Sequence, residues 1–402
     1  MATDAGTQMI SRNFRHFRVF LAVVDLRSPT LAAERCRVTQ PAVTQALAKL
    51  EREAGGDLFE RRRNGFFPTR RGRLFEVRLR RAMDRLDAAL AEVSPRLAVT
   101  ASAAQVQALI AMTEAQNHTL AARALGLAQP TVHRAISQLE QAAGRPLFER
   151  TSQGSVPTRA CRSLAQAAQL AFSEIEQVEA DLAEDEGREV GRIVIGALPL
   201  SRSVVLPEAL ARFRALRPRQ RVTVIDGPYA DMLTGLRRGA IDLILGALRD
   251  TLPVPDITQE PLFEDTLSVL ARPGHPLAGA RAIPLEVLAR HPWAVPRPGT
   301  PSRAQFDALF PTHAVPPPDS ILDCGSILLM REVLMRSDLL GCISAQQAEA
   351  EVRNGLLVRL DTGIDWPARP IGLTCRSDWM PTRAQGLMLD CIRAAARAVR
   401  PA

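Results

Sequence analysis

The chain has 402 residues, of which 46% are apolar and 23% are charged, so it is long enough for two or three folded domains and is neither disordered nor fibrous. Its apolar runs fall short of the roughly 18 residues that a membrane span needs. No apolar stretch near the start leads to a small-residue cleavage site, so we expect a cytoplasmic protein without membrane contact.

The motifs of several enzyme and metal-binding classes do not occur in the sequence. Lys49 is the one lysine beside 50 arginines, and we find no phosphate-binding loop, dinucleotide-binding turn, nucleophile elbow or zinc-binding helix motif. The six cysteines form no C-x-x-C pair, which is typical of reduced thiols. We therefore expect a protein with no catalytic residues, no metal and no cofactor.

Positive charge is concentrated in the first quarter of the chain. Residues 1–100 carry 19 basic and 11 acidic side chains, whereas residues 166–190 carry one basic and eight acidic. A basic segment of this kind is the electrostatic footprint of a surface that meets phosphate. Charge alone leaves a solvated arginine-rich face open as the alternative.

An internal repeat spans the first half of the chain. At an offset of 89 residues, 15 of the 31 positions between 31 and 61 are identical, and Leu58–Arg61 falls on Leu147–Arg150. Pro68–Arg70 falls on Pro157–Arg159 at the same offset. The pattern indicates that one supersecondary unit has been duplicated in tandem.

Each copy is predicted to hold short helices joined by a tight turn, then a wing and a long helix. In copy one, Thr39 is expected to cap a helix that has Pro41 at its second position. Helical spacing turns Val43, Leu47 and Leu50 inward, and Val132, Ile136 and Leu139 in copy two. The outward positions are Ala42, Thr44, Gln45, Ala48 and Lys49, and Thr131, His133, Arg134, Ser137 and Gln138. Such a polar face predicts a helix-turn-helix whose second helix enters the major groove of DNA.

The two long helices share an apolar seam with steps of 4, 3, 4, 3 and 4 residues. Its positions are Phe75, Leu79, Ala82, Leu86, Ala89 and Val93, and Leu164, Ala168, Ala171, Ile175, Val178 and Leu182. A narrow seam predicts pairing with another helix, whereas a helix lying on its own domain usually has a broader stripe. We therefore expect at least a dimer, unless the two seams pair within one chain.

Copy two departs from copy one in ways that bear on its role. Ala128 replaces the expected cap Thr39, a change that costs about 1 kcal/mol of helix stability. Cys161 stands at the position of Gly72, and a run of three arginines from Arg61 shrinks to Arg150 alone. In its favour, Gly126 suits the positive φ of the turn better than Arg37 does. We expect copy one to anchor on DNA and copy two either to extend the footprint or to serve as a scaffold.

From residue 191 on, strand-like runs alternate with helical patterns, which predicts βαβ units and a parallel sheet. The expected strands are 193–197, 222–225, 241–246, 267–271, 293–295, 321–324, 341–344 and 371–375. Helices are expected at 204–216, 229–238, 326–336 and after Thr382. The last strand and helix are expected to return to the first lobe.

The motifs L-A-A, Q-P-x-V, L-E-x-x-x-G-x-x-L-F-x-R and P-T-R resemble the winged helix-turn-helix of LysR-type transcriptional regulators, and the segment after 190 resembles their effector-binding domain. The resemblance implies mainly α winged helix-turn-helix domains, here two, followed by an α/β two-lobed domain of the type 2 periplasmic-binding-protein fold. We expect winged helix-turn-helix domains at 12–70 and 103–159, linker helices at 71–94 and 160–186, and an effector-binding domain at 191–402. Its first lobe would hold 191–266 and 347–402, and its second lobe 267–346. The second helix-turn-helix departs from the family pattern.

By this resemblance, one set of residues lies where family members touch DNA. In copy one these are Gln40, Pro41, Ala42, Thr44, Gln45, Lys49, Arg61, Arg63 and Thr69, and in copy two Gln129, Thr131, His133, Arg134, Arg150 and Thr158. Arg134 suits guanine, with about 1–3 kcal/mol of discrimination, and Gln45 suits adenine. Solvated polar side chains on a helix are the alternative.

A small-molecule site is expected where strands end and helices begin, because ligands of open α/β sheets bind there. The candidates are Leu198, Ser201, Ser203, Arg249, Thr300, Ser302, Arg303 and Ser326. The arginines could pair with a carboxylate, although each serine or threonine could instead merely cap a helix. The segment Ile195–Leu200 with Asp242–Asp250 looks like the group of the galactose-binding-protein regulator, whose members answer to sugars or to aromatic acids of catabolic pathways.

The sequence thus predicts a homo-oligomeric regulator, a dimer or a tetramer, that binds double-stranded promoter DNA, a small effector and RNA polymerase. An exported solute-binding protein and an enzyme on the same two-lobed fold are the rivals from other classes. The absent leader pattern and the basic first segment argue against the former, and the missing catalytic motifs against the latter. A third alternative keeps the regulator but makes copy two an oligomerisation or protein-interaction module.

Overall fold

The computed structural model describes residues 10–152, 154–252 and 254–399, so the predicted end of the last domain at 402 lies outside the described residues. The chain divides into two units. The N-terminal unit runs to Arg192 and takes in Arg237–Ala240. The C-terminal unit comprises Ile193–Leu236 and the chain from Ile241 onward.

The N-terminal unit begins with three helices, a β-hairpin and a long helix. These are α1 (Phe14–Leu26), α2 (Pro29–Cys36), α3 (Gln40–Ala54), β1 (Phe59–Arg62), β2 (Gly65–Pro68) and α4 (Arg70–Val93). Phe20, Val43 and Leu50 are fully buried in the core that these elements share, as the helical spacing of the apolar residues requires.

The same series of elements then occurs a second time. After α5 (Pro95–Thr100), which the sequence did not predict, come α6 (Ala103–Ala115), α7 (His118–Leu125), α8 (Gln129–Ala143), β3 (Phe148–Thr151), β4 (Gly154–Pro157) and α9 (Arg159–Asp185). The helix α8 and the hairpin β3–β4 begin and end 89 residues after α3 and β1–β2. The elements expected of a winged helix-turn-helix therefore occur twice in the described chain.

The turn before the second helix of each motif has the same backbone conformation in both copies. Arg37 has a φ of 54° and Gly126 a φ of 64°, so the turn requires the left-handed region. The predicted cap at Thr39 is wrong, because its side chain makes no capping hydrogen bond. Pro41 has no backbone N–H to donate to a capping side chain. Ala128, at the position equivalent to Thr39, therefore loses no capping hydrogen bond by comparison with Thr39. The expected weakening of copy two at this position therefore does not arise.

The two long helices pair with each other inside the chain. The N-terminal end of α4 lies beside the C-terminal end of α9, since Arg70 pairs with Asp185 at 2.6 Å and Arg81 with Glu174 at 3.1 Å. The helices are thus antiparallel, and both predicted seams are buried or half-buried. Of the two alternatives that the sequence left open, pairing within one chain is the one observed.

The C-terminal unit contains two five-stranded sheets. The strands are β5 (Arg192–Ala197), β6 (Arg221–Ile225), β7 (Leu243–Ala247), β8 (Ile257–Asp265), β9 (Leu267–Ala271), β10 (Trp293–Val295), β11 (Ile321–Asp323), β12 (Leu340–Ser344), β13 (Val358–Arg359) and β14 (Arg369–Arg376). The first sheet has the order β6-β5-β7-β14-β8 and the second β11-β10-β12-β9-β13. Each sheet forms the centre of one lobe.

Helices cover both sheets. They are α10 (Val205–Leu216), α11 (Tyr229–Arg237), α12 (Leu285–Leu288), α13 (Pro301–Thr312), α14 (Ile327–Leu334), α15 (Ala345–Arg353) and α16 (Arg383–Arg397), and a 3₁₀ turn spans Pro199–Arg202. Apolar side chains of α10 and α16, among them Phe213 and Met388, are buried against the first sheet. The second sheet has its own core around Trp293 and Phe306.

Two predictions for this unit need correction. Parallel pairs are present as predicted, between β5 and β7 and between β10 and its neighbours β11 and β12. The sheets as wholes are mixed, however, because β14 runs antiparallel to β7 and β8, and β9 antiparallel to β12 and β13. These are the strands that flank the passages of the chain between the lobes. The return to the first lobe also does not begin at 347, since β13 still pairs with β9 in the second sheet. The first lobe resumes with β14 at Arg369.

Candidate nucleic-acid interface and effector groove

The helix α3 presents one polar face to solvent. Of the predicted DNA contacts on it, Gln40, Pro41, Thr44 and Gln45 are exposed, and Ala42 and Lys49 are half-buried. Gln40 Nε2 donates to Thr44 Oγ1 over 3.3 Å, and the Lys49 ammonium lies 3.8 Å from the Glu53 carboxylate. The structure thus brings the predicted residues onto one face, with Lys49 at its edge.

The first hairpin, or wing, is rich in cation–π contacts. The Arg61 guanidinium lies 5.2 Å from the Phe66 ring centroid, and Arg27 and Arg62 lie 4.9 and 5.1 Å from that of Phe67. Such contacts hold a guanidinium over a ring without neutralising its charge. Arg61 and Arg63 are exposed, so the wing carries positive charge at its surface.

The wings dock on the helix that opens each motif. Phe66 N donates to Arg27 O over 2.9 Å, and a Cβ at Gly65, whose φ is 129°, would lie 2.5 Å from that oxygen. Gly154 has a φ of 134°, and its Cβ would lie 2.8 Å from Gln116 O. Only glycine permits this approach of two backbones, and both copies have it.

Copy two also presents a polar face, on α8. Gln129, Thr131, His133 and Arg134 are exposed there, and Arg150 is exposed on the second wing. The His133 ring lies 5.3 Å from that of His118 at the start of α7. Burial lowers the pKa of His118, and the nearby His133 lowers it further. The face is as accessible as that of copy one, with fewer arginines on the wing.

Two predicted contacts, Thr69 and Thr158, serve as helix caps. Thr69 Oγ1 accepts from Gly72 N at 3.0 Å and donates to Asp57 O at 2.8 Å. Thr158 Oγ1 accepts from Cys161 N at 3.2 Å. These bonds fix the starts of α4 and α9 behind the wings.

The C-terminal unit contains a groove of about 880 Å³ between the lobes, called the Arg249 groove here. It is lined by Leu248–Asp250, Pro298–Pro301, Arg303–Gln305, Asp307–Leu309, Thr312, His313 and Asp365–Pro370. Three of the predicted effector residues, Arg249, Thr300 and Arg303, line it. Leu198, Ser201, Ser203, Ser302 and Ser326 do not.

Most predicted hydroxyl groups are already used by the fold. Ser201 is fully buried and donates to Leu198 O over 2.8 Å. Thr300 Oγ1 accepts from Arg303 N at 3.2 Å and Ser326 Oγ from Leu329 N at 3.4 Å, so both cap helices. The capping alternative therefore holds for Thr300 and Ser326.

The arginines of the groove differ in their partners. Arg303 pairs with Asp307 at 2.7 Å and also contacts Asp323. Burial lowers the pKa of Arg303, but the hydrogen bonds to these two carboxylates raise it by more, so the pKa lies above its usual value. The Arg249 guanidinium stacks 4.4 Å from the Tyr229 ring centroid and forms no ion pair with a described carboxylate. Arg249 is therefore the better cation for an anionic ligand.

The sequence did not single out the ion pair behind the groove. Asp265 Oδ2 accepts from Arg369 Nη2 at 2.8 Å, and the Asp265 side chain has no exposed surface. Arg369 also donates to Ser302. The two residues stand 104 positions apart in the sequence. Asp265 ends the strand before the second lobe and Arg369 begins the strand after it, and this placement is the one feature of the sequence that could have indicated the ion pair.

Two kinds of feature are absent from the described part of the chain. No helix there is long and apolar enough to cross a membrane. Likewise, the described residues include no group of three or more His, Cys, Asp or Glu side chains that could hold a metal ion.

Two protein families match the chain. The bacterial regulatory helix-turn-helix proteins of the lysR family match residues 14–73 and, a second time, 103–169. The LysR substrate binding domain matches residues 186–397. The first family thus falls on both winged motifs and the second on the two-lobed unit.

Individual relatives agree with this division. The HTH-type transcriptional regulator GalR of Pseudomonas putida is 35% identical over 389 residues, which cover 95% of this chain and 96% of the relative. The regulator PcaQ of Agrobacterium fabrum is 25% identical over 291 residues, which cover 72% of this chain and 94% of PcaQ. The length of the GalR alignment means that both copies of the repeat have a counterpart in that relative.

Solved structures share the fold. A full-length OxyR variant from Pseudomonas aeruginosa is 19% identical with a TM-score of 0.54, and the match covers 74% of this chain and 98% of OxyR. LysG from Corynebacterium glutamicum with bound effector arginine is 20% identical with a TM-score of 0.52, and the match covers 74% of this chain and 99% of LysG. With a matching family over the C-terminal unit and a GalR relative along nearly its whole length, the chain belongs to the LysR family of DNA-binding transcription regulators.

Proposed function

We propose that this LysR-type regulator binds promoter DNA through α3 and α8, the second helices of its two helix-turn-helix motifs. We further propose that a small anionic effector in the Arg249 groove controls this binding. One observation carries the DNA part. Thr131, His133 and Arg134 are exposed on α8 at the positions that Ala42, Thr44 and Gln45 hold on α3. A scaffold would not need that face to be accessible.

The proposed contacts divide into base readers and phosphate binders. Gln45 suits adenine and Arg134 suits guanine in the major groove, because each can form two hydrogen bonds with its base. Arg61, Arg63 and Arg150 are exposed on the wings, where they would meet phosphates. Thr69 and Thr158 cap α4 and α9 behind the wings, and their contact with DNA stays a prediction.

The DNA proposal is tested by a gel shift on the duplex upstream of the protein's own gene. We expect Gln45→Ala, and separately His133→Ala with Arg134→Ala, to weaken binding about tenfold, or about 1.4 kcal/mol. Gln141→Ala, an exposed change near the end of α8, is the matched control and should bind like wild type. If the copy-two variant keeps full affinity while Gln45→Ala loses it, copy two acts as an interaction module instead.

The effector proposal rests on Arg249, a guanidinium of the groove lining that pairs with no described carboxylate. The lining combines Arg249 with the polar side chains of Thr300, Gln305 and His313 and the ring of Trp366. A guanidinium that lacks a carboxylate partner favours a carboxylate ligand over a neutral sugar. Of the sugars and aromatic acids that the sequence left open, we therefore propose an aromatic acid.

Calorimetric titration with aromatic carboxylates, and with galactose as the neutral comparison, tests the groove. We expect carboxylates to bind and Arg249→Ala to weaken that binding at least tenfold, since a hydrogen bond to a charged group contributes about 1.5–3 kcal/mol. Arg281→Ala, an exposed arginine outside the groove lining, should leave the affinity unchanged. Binding of galactose alone, or an Arg249→Ala variant with full affinity, would contradict the proposal.

We further propose that the regulator acts in the cytoplasm as a homo-oligomer, a dimer or a tetramer, and engages RNA polymerase. An effector that bridges the two lobes would favour their closed arrangement. It can shift the equilibrium only by the difference between its affinities for the two arrangements.

A further inference from the structure

The paired helices α4 and α9 carry opposite charge. The helix α4 has seven arginines and four acidic residues, whereas α9 has two arginines and six acidic residues. Copies of one ancestral helix would otherwise share their charge pattern. Part of this difference lies at the contact between them.

Charged residues are buried within the contact between α4 and α9 rather than exposed at its edge. The Arg78 side chain is 2% exposed and lies 3.0 Å from Glu174 Oε2, 2.9 Å from Asp181 Oδ2 and 2.7 Å from Gln177 Oε1. Glu174 itself is 8% exposed and also accepts from Arg81 at 3.1 Å. A buried cation and two carboxylates thus join the helices.

The repeat makes these charges specific for one pairing. The position in α4 that corresponds to Glu174 is Arg85, so two α4 helices would bring Arg78 and Arg81 towards a third arginine. The positions in α9 that correspond to Arg78 and Arg81 are Ala167 and Leu170, so two α9 helices would bury Glu174 without a cation. Like charges and unpaired buried charges both disfavour these alternatives.

A second contact ties copy one to α9. Ile10 N donates to Glu179 Oε1 over 2.7 Å, Arg12 pairs with Glu176 at 2.6 Å, and Phe14 stacks on Phe172 with ring centroids 6.0 Å apart. The start of the first winged motif is therefore fixed to the long helix of the second.

The two motifs that this contact holds together do not present the same surface. The central outward positions are Ala42, Thr44 and Gln45 on α3, and Thr131, His133 and Arg134 on α8. Only the second set contains an arginine and a histidine, so the base preferences of the two helices differ.

We propose that one chain binds an asymmetric DNA target of two different parts, with α3 reading one part and α8 the other, at a spacing fixed by the α4–α9 pair. This inference rests on the proposed binding of DNA by both helices. Because α4 pairs with α9 and not with a second α4, a chain combines one α3 with one α8. Two copies of the same recognition helix are thereby kept from binding a symmetric DNA site.

Selection of bound duplexes from a pool with a randomised 40-base-pair centre tests the inference on the full chain. Wild type should enrich two dissimilar elements at a constant spacing. Gln45→Ala should relax base preference in one element only, and Arg134→Ala in the other only. Insertion of five base pairs between the elements should weaken binding at least tenfold, because it turns one element to the opposite side of the duplex.

Other outcomes separate the inference from the proposed function. Enrichment of one element whose preference responds to Gln45→Ala and not to Arg134→Ala would overturn the asymmetric target and leave a DNA-binding regulator. Enrichment of two identical elements would do the same. Failure to enrich any sequence would contradict the proposed function itself.

Mixing tests whether one chain supplies both helices. A variant with Thr44→Ala and Gln45→Ala is co-expressed with one carrying His133→Ala and Arg134→Ala. Because α4 and α9 pair within a chain, no mixed assembly holds an intact pair, and binding should remain as weak as for the better variant alone. Recovery of a wild-type fraction would mean that the helices pair between chains, and would overturn the inference.

Discussion

Replacing Arg78 with alanine is expected to lower the free energy of unfolding of the N-terminal unit by about 3–5 kcal/mol. The substitution leaves Glu174 buried beside Asp181 with their shared cation removed. Asp181 then lies mostly buried without its cation, and Glu174 keeps Arg81 but loses Arg78, so the folded state no longer compensates the burial of both carboxylates. The effect should be far larger than that of any exposed arginine on the same helix.

Urea unfolding followed by two probes measures this loss. Trp293, Trp366 and Trp379, the tryptophans of the chain, all lie in the C-terminal unit, so fluorescence reports on that unit. Far-ultraviolet circular dichroism reports on the helices of both. We expect the circular-dichroism transition of Arg78→Ala to move down by at least about 1 M urea while the fluorescence transition stays in place.

Controls separate the ion cluster from ordinary loss of a side chain. Arg73→Ala removes an exposed arginine of α4 with one hydrogen bond to Pro68 O, and should cost about 1 kcal/mol or less. Leucine at Arg78, Glu174 and Asp181 together should recover most of the stability, because an apolar cluster of similar volume can replace a buried ion network. If Arg78→Ala shifts the transition no more than Arg73→Ala, the cluster does not stabilise the helix pair.

The deficit of Arg78→Ala should depend on pH. Burial raises the pKa of Asp181 in the wild type even though Arg78 lowers it. Removal of Arg78 raises that pKa further, and an acid whose folded pKa lies above its unfolded value destabilises the fold once it is ionised. The deficit is therefore largest near pH 7 and shrinks as the pH falls through the raised pKa. A deficit that grows on acidification would contradict this origin.

Much of the N-terminal unit follows from the repeat alone. The offset of 89 residues places α8 and its hairpin, and helical spacing assigns Val43 and Val132 to the core. The apolar seam likewise predicts that α4 pairs with another helix. It does not say with which, because the same seam fits a helix of the same chain or of another. The contacts of Arg78 with Glu174 and Asp181, about a hundred residues away, decide that, and spacing has no bearing on them.

For the candidate sites, the sequence predicts which residues are accessible better than it predicts which residues contact a ligand. Outward positions such as Gln45 and Arg134 are accessible where helical periodicity puts them, and their contact with DNA stays a prediction. The hydroxyl of Ser201 or Thr300 is a possible ligand in the sequence, yet the fold uses both in local hydrogen bonds. Short polar side chains near strand ends satisfy backbone groups first, so residue type alone over-predicts ligand contacts.

Asp265→Ala is the second change with a large expected effect, about 3–5 kcal/mol of stability in the C-terminal unit. The Asp265 carboxylate accepts hydrogen bonds from Arg369, from Ser344 Oγ at 2.9 Å and from Gln346 N at 3.2 Å. Asp265 ends β8 and Arg369 begins β14 in the first sheet, whereas Ser344 ends β12 in the second. One carboxylate therefore joins the two lobes where the chain passes between them.

Tryptophan fluorescence in urea measures the loss, since the tryptophans lie in this unit. Asp390→Ala, which removes a carboxylate that is 72% exposed and paired with Arg393, is the matched control and should cost at most about 1 kcal/mol. Asp265→Asn keeps an acceptor without the charge, so its loss should fall between the two. An Asp265→Ala variant as stable as Asp390→Ala would mean that the lobes are held by their strands alone.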